Sequence, residues 1–112
     1  MKVLYHPDRH DIQLSSVLYA LSDPIRLSVV AEMRLSGERP CNYFEVPIAK
    51  STLSHHIRTL REAGVVSTRI QGTQRFMSVR EEDLESRFPG LLDSILLAYE
   101  KSDPKDESTI SE

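Results

Sequence analysis

The chain has 112 residues, 39% apolar and 28% charged, with a formal net charge of −3. That is the length of one domain with the composition of an ordinary globular fold, and it leaves no room for a catalytic domain beside a binding domain. No apolar run approaches the ~18 residues of a membrane span, MKVLYHPDRHDIQ turns charged before a signal-peptide core could form, and the single cysteine, Cys41, excludes an internal disulfide framework or a multi-cysteine zinc knuckle. We therefore expect no membrane association and a reducing, cytoplasmic setting.

The charge is unevenly spread. Residues 50–80 carry Lys50, Arg58, Arg61, Arg69, Arg75 and Arg80 against Glu62 alone, a local +5, whereas residues 1–49 sum to −1 and residues 81–112 to −7. A basic middle on an acidic chain can present a local phosphate-binding face, although the same charges could simply solvate a surface.

In chain order, Leu14, Val17, Leu18 and Leu21 recur at offsets of three and four, predicting a helix from Asp8 or Asp11 to Leu21 (about 8–21). Ser22-Asp23-Pro24 combines a capping side chain with proline at a first helical position, so a second helix should run over 24–35. Its residues Ile25, Leu27, Val29, Val30 and Met33 are apolar on most sides, as in a central buried helix, and Ser36-Gly37 ends it. Between Glu38 and Ala49 there is room only for a short helix at 41–46, because Pro47 disfavours helical geometry at Val46.

The stretch KSTLSHHIRTLREA, ended by Gly64, predicts a helix over 50–63 with Leu53, Ile57 and Leu60 inward. Ser51, His55, Arg58 and Glu62 then lie within about 40° of the opposite side, flanked by Ser54 and Thr59. VVSTRI and QRFMSV, separated by Gln71-Gly72-Thr73, predict a hairpin over 65–79 with Arg69 and Arg75 near its tip. The acidic EEDLESRFPG reads as a connector with room for one helical turn. A last helix is expected over 90–101, with Leu91, Leu92, Ile95, Leu96 and Tyr99 apolar, and residues 102–112 as a disordered tail. The organisation is thus one domain over 1–101.

A helical set, an amphipathic helix with a polar outer face, and a Gly-tipped basic hairpin form the layout of a winged helix-turn-helix: an α+β, mainly α fold with a two-stranded wing. A helix fits the major groove, and hydroxyl, imidazole and guanidinium groups can reach base edges or phosphates. Two segments, ALSDPIRLSVVAEM at 20–33 and STLSHHIRTLREAGVV at 51–66, also resemble the ArsR/SmtB group of bacterial transcriptional regulators. The resemblance covers roughly residues 12–80.

The resemblance implies a homodimeric repressor on a palindromic double-stranded operator, with the terminal helices packed across the two-fold axis. By position it implies DNA contacts from Ser51, Thr52, Ser54, His55 and Arg58 on the helix, and from Arg69, Gln71, Thr73 and Arg75 on the wing; Lys50 and His56 of the same helix are expected to join them. The helical wheel reaches nearly the same set without it. For the dimer interface the expected residues are Leu14, Val17, Leu18, Leu91, Leu92, Ile95, Leu96 and Tyr99, whose apolar stripes need cover.

Metal-sensing members of that group place a Cys-x-Cys pair near the third helix, or Asp and His ligands on the last. Here Cys41 stands without a second cysteine, and the last helix offers Asp93 and Glu100 without histidine, so no metal or other cofactor is expected. The effector, if one exists, is not encoded in any ligand signature.

Several residues admit a second reading. His6, Asp8 and His10 could ligate a metal, but an ordinary solvated terminus is the default. Cys41 could be a redox switch, with an inert thiol the plainer reading. His55 faces outward toward DNA, while His56 divides evenly between a phosphate contact and a packing role. Ser51, Ser54 and His55 lack a nucleophile elbow or an orienting acid, so no enzyme is expected. Asp103, Asp106 and Glu107 read as solvating charge, with an acidic mimic of DNA as the alternative. The rival to DNA binding is a winged-helix protein-interaction module, favoured by the acidic total charge and opposed by the +5 stretch.

Overall fold

The computed structural model describes residues 4–102. Its helices are α1 (Leu14–Ala20), α2 (Pro24–Ser36), α3 (Lys50–Glu62), α4 (Glu81–Arg87) and α5 (Leu91–Ser102), and its strands are β1 (Arg39–Pro40), β2 (Val66–Gln71) and β3 (Gln74–Val79). The strands form one antiparallel sheet in the order β1-β3-β2. The mainly helical α+β fold expected from the sequence is present, with a third strand in the sheet.

Local chemistry accounts for the best-defined boundaries. Asp23 caps α2 by accepting from the Arg26 backbone N–H at 3.0 Å, with Pro24 at the first helical position. α3 ends at Gly64, whose φ of +90° is the left-handed geometry that glycine adopts without a Cβ penalty. There the Val65 N–H donates to Leu60 O at 3.0 Å and the Gly64 N–H to Arg61 O at 3.1 Å, the paired bonds of a Schellman motif. The β2–β3 turn has Gly72 at φ +63° and Thr73 on the ordinary side, the type II′ pattern that matches hairpin twist. This turn sets the register Gln71↔Gln74 through Val66↔Val79.

The core gathers Val29, Val30 and Met33 of α2, Leu60 of α3, Val65, Val66 of β2 and Met77 of β3, each at most 1% exposed. α3 lays its apolar face on this centre: Ile57 and Leu60 are buried, while Ser51, Ser54, His55, Arg58 and Glu62 are exposed. No single helix among the described residues is long and apolar enough to cross a membrane. α1 and α2 together reach the length and hydropathy, but they meet at a 98° bend.

Four expectations about the inner elements need correction. The first helix does not begin at Asp8: Arg9–Asp11 is a 3-10 turn, Ile12 and Gln13 are extended, and α1 starts at Leu14. Ile12 is 1% exposed, and inserting it under Gly64 takes the chain out of helical geometry. The short helix at 41–46 is only the 3-10 turn Cys41–Tyr43, and Phe44 is already extended before Pro47. The wing sheet has three strands, because Arg39 and Pro40 pair with Met77 and Phe76. A two-residue strand is too short to show a period of two in sequence. The acidic connector holds a seven-residue helix, α4, with three acidic residues in its first turn, where they complement the helix dipole, and Leu84 buried.

The N-terminal segment is not an ordinary solvated terminus. Pro7 is buried, and His6 Nδ1 donates to Leu4 O at 3.1 Å while its Nε2 accepts from the Thr68 N–H at 3.0 Å. Arg61 Nε donates to Tyr5 O at 3.1 Å, Arg80 Nη1 to Pro7 O at 2.8 Å and Arg87 Nη2 to Ile12 O at 2.6 Å. The segment is a strap over α3, β2 and α4. Both ring nitrogens of His6 are used, so the His6/Asp8/His10 metal reading loses its first ligand. Of the expected tail at 102–112, Ser102 instead closes α5, and the rest lies outside the described residues.

Asp83 ties the strap to α4, accepting from Arg9 Nε at 2.7 Å and from Arg80 Nε at 2.9 Å. The Arg9 bond holds its carboxyl below the ordinary value, against partial burial and with help from Arg80. A depressed folded-state pKa contributes stability above the unfolded carboxylate pKa, ~3.9, and loses it as pH falls through the folded value. Asp83→Asn should therefore cost about 1 kcal/mol at pH 7, a figure reduced for the exposed side of Arg9. The gap should narrow as pH falls below 4. Urea melts of both proteins between pH 3 and 7 check this, and a gap undiminished at pH 3 would contradict the assignment.

Candidate nucleic-acid interface

α3 and the wing enclose an open cleft lined by Ser51, Ser54, His55, Arg58 and Arg61 of the helix together with Thr68 and Arg75 of the wing. The periodicity of α3 explains its side. With Ile57 and Leu60 in the core, Ser51, Ser54, His55 and Arg58 fall on the outer face, as the wheel predicts. Thr52 and Lys50 are exposed on the first turn. Arg58 is 67% exposed at the side chain and bonded within the helix to Glu62 at 3.1 Å, so its guanidinium can leave that partner at little cost.

The wing divides its arginines. Directly paired strand residues share a face, and faces alternate along each strand. Arg75, opposite Ile70, shares the face of the Thr68–Met77 pair and so looks into the cleft. Arg69, opposite Phe76, lies on the other face, where it packs over the Phe76 ring and donates to Glu38 Oε2 and Oε1, each at 3.0 Å. Gln71 is bonded to Arg69 there, and Thr73 is exposed at the tip. The sequence places both arginines near one tip, but the cleft receives only Arg75.

His55 and His56 diverge as adjacent helical residues must, their ring centroids 6.2 Å apart. His55 is exposed in the cleft. His56 turns back to α2, its side chain 14% exposed, within 3.0 Å of Arg26 Nη1. Sequence reasoning missed two buried cations. Arg26 is 6% exposed and donates through Nε to Ala20 O at 2.7 Å and through Nη2 to Tyr19 O at 3.2 Å. Arg61, 8% exposed, holds the strap at Tyr5 O. For Arg61, the helical wheel supplies a weak signal: it follows the inward Leu60 and lies on the same side as Ile57.

Cys41 lines the rear of the cleft, partly buried. Burial pushes its thiol above the ordinary range, while the charges of Arg75 and Arg61 offset part of that. The thiol is therefore protonated and weakly nucleophilic near neutral pH, the setting of a plain thiol. Thr68 Oγ1, buried beside the cleft, has no hydrogen-bond partner among the described residues. No group of three or more His, Cys, Asp or Glu suited to a metal is found among those residues.

A family model described as bacterial regulatory protein, arsR family, matches residues 43–68, the segment that enters and forms α3. Over 84 residues the chain is 34% identical to a protein of Bacillus subtilis (strain 168) named uncharacterized HTH-type transcriptional regulator YceK, covering 72% of this chain and 84% of that one. The chain belongs to the ArsR family. It is also 31% identical over 74 residues to the arsenical resistance operon repressor of Staphylococcus xylosus, covering 65% of this chain and 71% of that one. Among solved structures it is similar to the transcriptional repressor BigR from Xylella fastidiosa, at 30% identity and a TM-score of 0.54, over 67% of this chain and 85% of that one. This ArsR-family chain is accordingly a helix-turn-helix transcription regulator, with β2–β3 as its wing.

The residues expected at a dimer interface fall into two groups. Val17, Leu92 and Leu96 are buried in the protomer's own core, at 1%, 8% and 8% exposure. Leu91, Ile95 and Tyr99 are partly buried, while Leu14 and Leu18 remain 45% exposed. Tyr19 at 65% and Leu97 at 54% join them on α1 and α5, and neither is among the expected residues.

Proposed function

We propose that this ArsR-family regulator is a homodimeric repressor that reads a palindromic double-stranded operator, acting as a single domain over residues 1–101 in the cytoplasm. α3 enters the major groove and the wing lies along the flank. The observation that carries this reading is the cleft, where Ser51, Ser54, His55 and Arg58 of α3 meet Arg75 of the wing on one exposed face. Hydroxyl and imidazole groups beside guanidinium groups can serve both base edges and phosphates. Lys50 and Thr52 extend the face at the helix start, and Thr73, Gln71 and Arg69 serve the wing, Arg69 after leaving Glu38. The names of its relatives, two of them repressors, support the direction of control.

Dimerisation would cover the exposed apolar side chains of the terminal helices, Leu14, Leu18 and Tyr19 of α1 and Leu97 of α5. Leu91, Ile95 and Tyr99 border that surface. A two-fold dimer matches a palindrome, with half-sites about one helical turn apart.

Selection from a random duplex library at about 0.15 M salt should recover an inverted repeat of that spacing. With three or four phosphates neutralised per protomer, log affinity should fall with log salt at a slope of roughly −5 to −7. Arg58→Ala should weaken operator binding while leaving the thermal melt unchanged, because among the described residues its bonding partner is the exposed Glu62. No enrichment, with salt-labile background binding alone, would instead favour a protein-interaction module.

A further inference from the structure

We propose that His56 is a positioning residue of the recognition helix: its neutral imidazole, accepting at Nδ1 from the buried Arg26, fixes α3 on α2 and touches no nucleic acid. The proposal rests on the assignment of α3 as the DNA-reading helix.

Arg26 is immobile before His56 is considered. Nε and Nη2 donate to the last carbonyls of the α1 region, Ala20 O at 2.7 Å and Tyr19 O at 3.2 Å, and the guanidinium lies over the Tyr19 ring at 5.2 Å. That leaves Nη1 pointing across the helix interface at 3.0 Å from His56 Nδ1. A guanidinium has donors and no acceptor, and it stays charged at any relevant pH. His56 Nδ1 must therefore carry the lone pair, which puts the ring proton on Nε2. Nε2 faces the Asp23 carboxylate at 4.0 Å.

Asp23 is itself fixed, as the cap of α2 accepting from the Arg26 N–H at 3.0 Å. Burial raises its pKa, but the backbone bonds from Arg26 and Ile25 and the charge of Arg26 work against that rise, so it is ionised near neutrality. The charged and titratable groups facing His56 are thus Arg26 and Asp23 at the start of α2 and His55 on its own helix. One polar path runs from the α1 carbonyls through Arg26 to the middle of α3. The side chains that read bases leave the same helix on the opposite face, so their aim depends on this joint.

A positioning role and a phosphate contact predict different binding curves. Losing a phosphate contact weakens all duplexes alike and reduces the salt slope by about one. Losing the joint leaves the slope intact and lowers discrimination between operator and scrambled duplex, by about tenfold if one base contact goes out of register. Asparagine at this position keeps an acceptor near Nδ1, whereas leucine keeps the bulk without it.

The test uses the full chain as wild type, His56→Leu and His56→Asn, titrated on the selected operator and on a scrambled duplex at several salt concentrations, with thermal melts alongside. The expected result is lost discrimination in His56→Leu at unchanged slope, restored by His56→Asn. Wild-type discrimination in a folded His56→Leu, a slope lower by one, or a folded His56→Asn that fails to restore discrimination would each overturn the proposal. Long-range nitrogen-15 NMR of the wild type at pH 8 decides the joint independently of DNA. It should show Nδ1 unprotonated, and a proton there would overturn the proposal even if His56→Leu fails to fold. If the wild type binds no duplex, the DNA-reading assignment falls, and the tautomer still decides whether His56 anchors α3.

Discussion

Gly64→Ala should destabilise the protein by about 3 kcal/mol, the sum of ~1–2 for forcing an L-residue into the left-handed region and ~1–3 for overpacking. The position has φ +90°, and a Cβ built there would meet Ile12 Cγ1 at 2.6 Å, Cδ1 at 2.9 Å and Cγ2 at 3.2 Å. Ile12 is 1% exposed and branched at Cβ, so it cannot swing clear as the end of a lysine would. The clash sits where α3 hands over to the wing, so relaxation there would move the two halves of the proposed reading surface relative to each other. Denaturant unfolding measures the loss. Ile12→Ala alone should cost ~2–4 kcal/mol, and the double variant should cost less than the two together because the clashing atoms are gone. A Gly64→Ala protein within 1 kcal/mol of wild type would refute the close approach.

Arg26→Leu should cost about 3 kcal/mol, since charge-assisted hydrogen bonds are worth ~1.5–3 and an orphaned buried acceptor adds to the loss. Tyr19 O retains Ser22 as a donor, through Nα at 3.1 Å and Oγ at 2.6 Å, so the heavier loss falls on Ala20 O. The stack on Tyr19 and the bond to His56 go as well. A leucine fills part of the volume, which is why the figure is not larger. Arg26→Lys should fall between, because one ammonium cannot span the three directions that the planar fork serves. Urea midpoints at pH 7 read both variants, and equal stability of Arg26→Leu and wild type would show that the buried guanidinium contributes nothing net.

The stripes expected at a dimer interface reach only so far. Leu14, Val17 and Leu18 form one stripe in sequence, yet a seven-residue helix resting on a core sends Val17 inward and leaves Leu14 and Leu18 outside. A periodic stripe says that a face is apolar, and says nothing of which partner covers it. The same division separates Leu92 and Leu96, which serve the protomer's own core, from the exposed Leu97.

What the sequence by itself determined is what interactions within about four residues control. The Asp23-Pro24 start of α2, the amphipathic α3 ending at Gly64, and the Gly72 hairpin are each written in neighbouring residues, because caps, helical faces and tight turns are local. From those three elements followed the winged-helix layout and the exposed row Ser51, Ser54, His55 and Arg58. The tertiary structure alone decided the rest. β1 exists because Arg39 and Pro40 reach β3 more than thirty residues on, and the strap exists because His6 and Arg9 find partners at Thr68 and Asp83. Arg26 and His56 were separately unremarkable, a helix cation and one of two adjacent histidines. Their roles come from a 3.0 Å contact between residues 30 apart in the chain. A donor-only guanidinium needs an acceptor, and only the packing of α3 on α2 brings one to it.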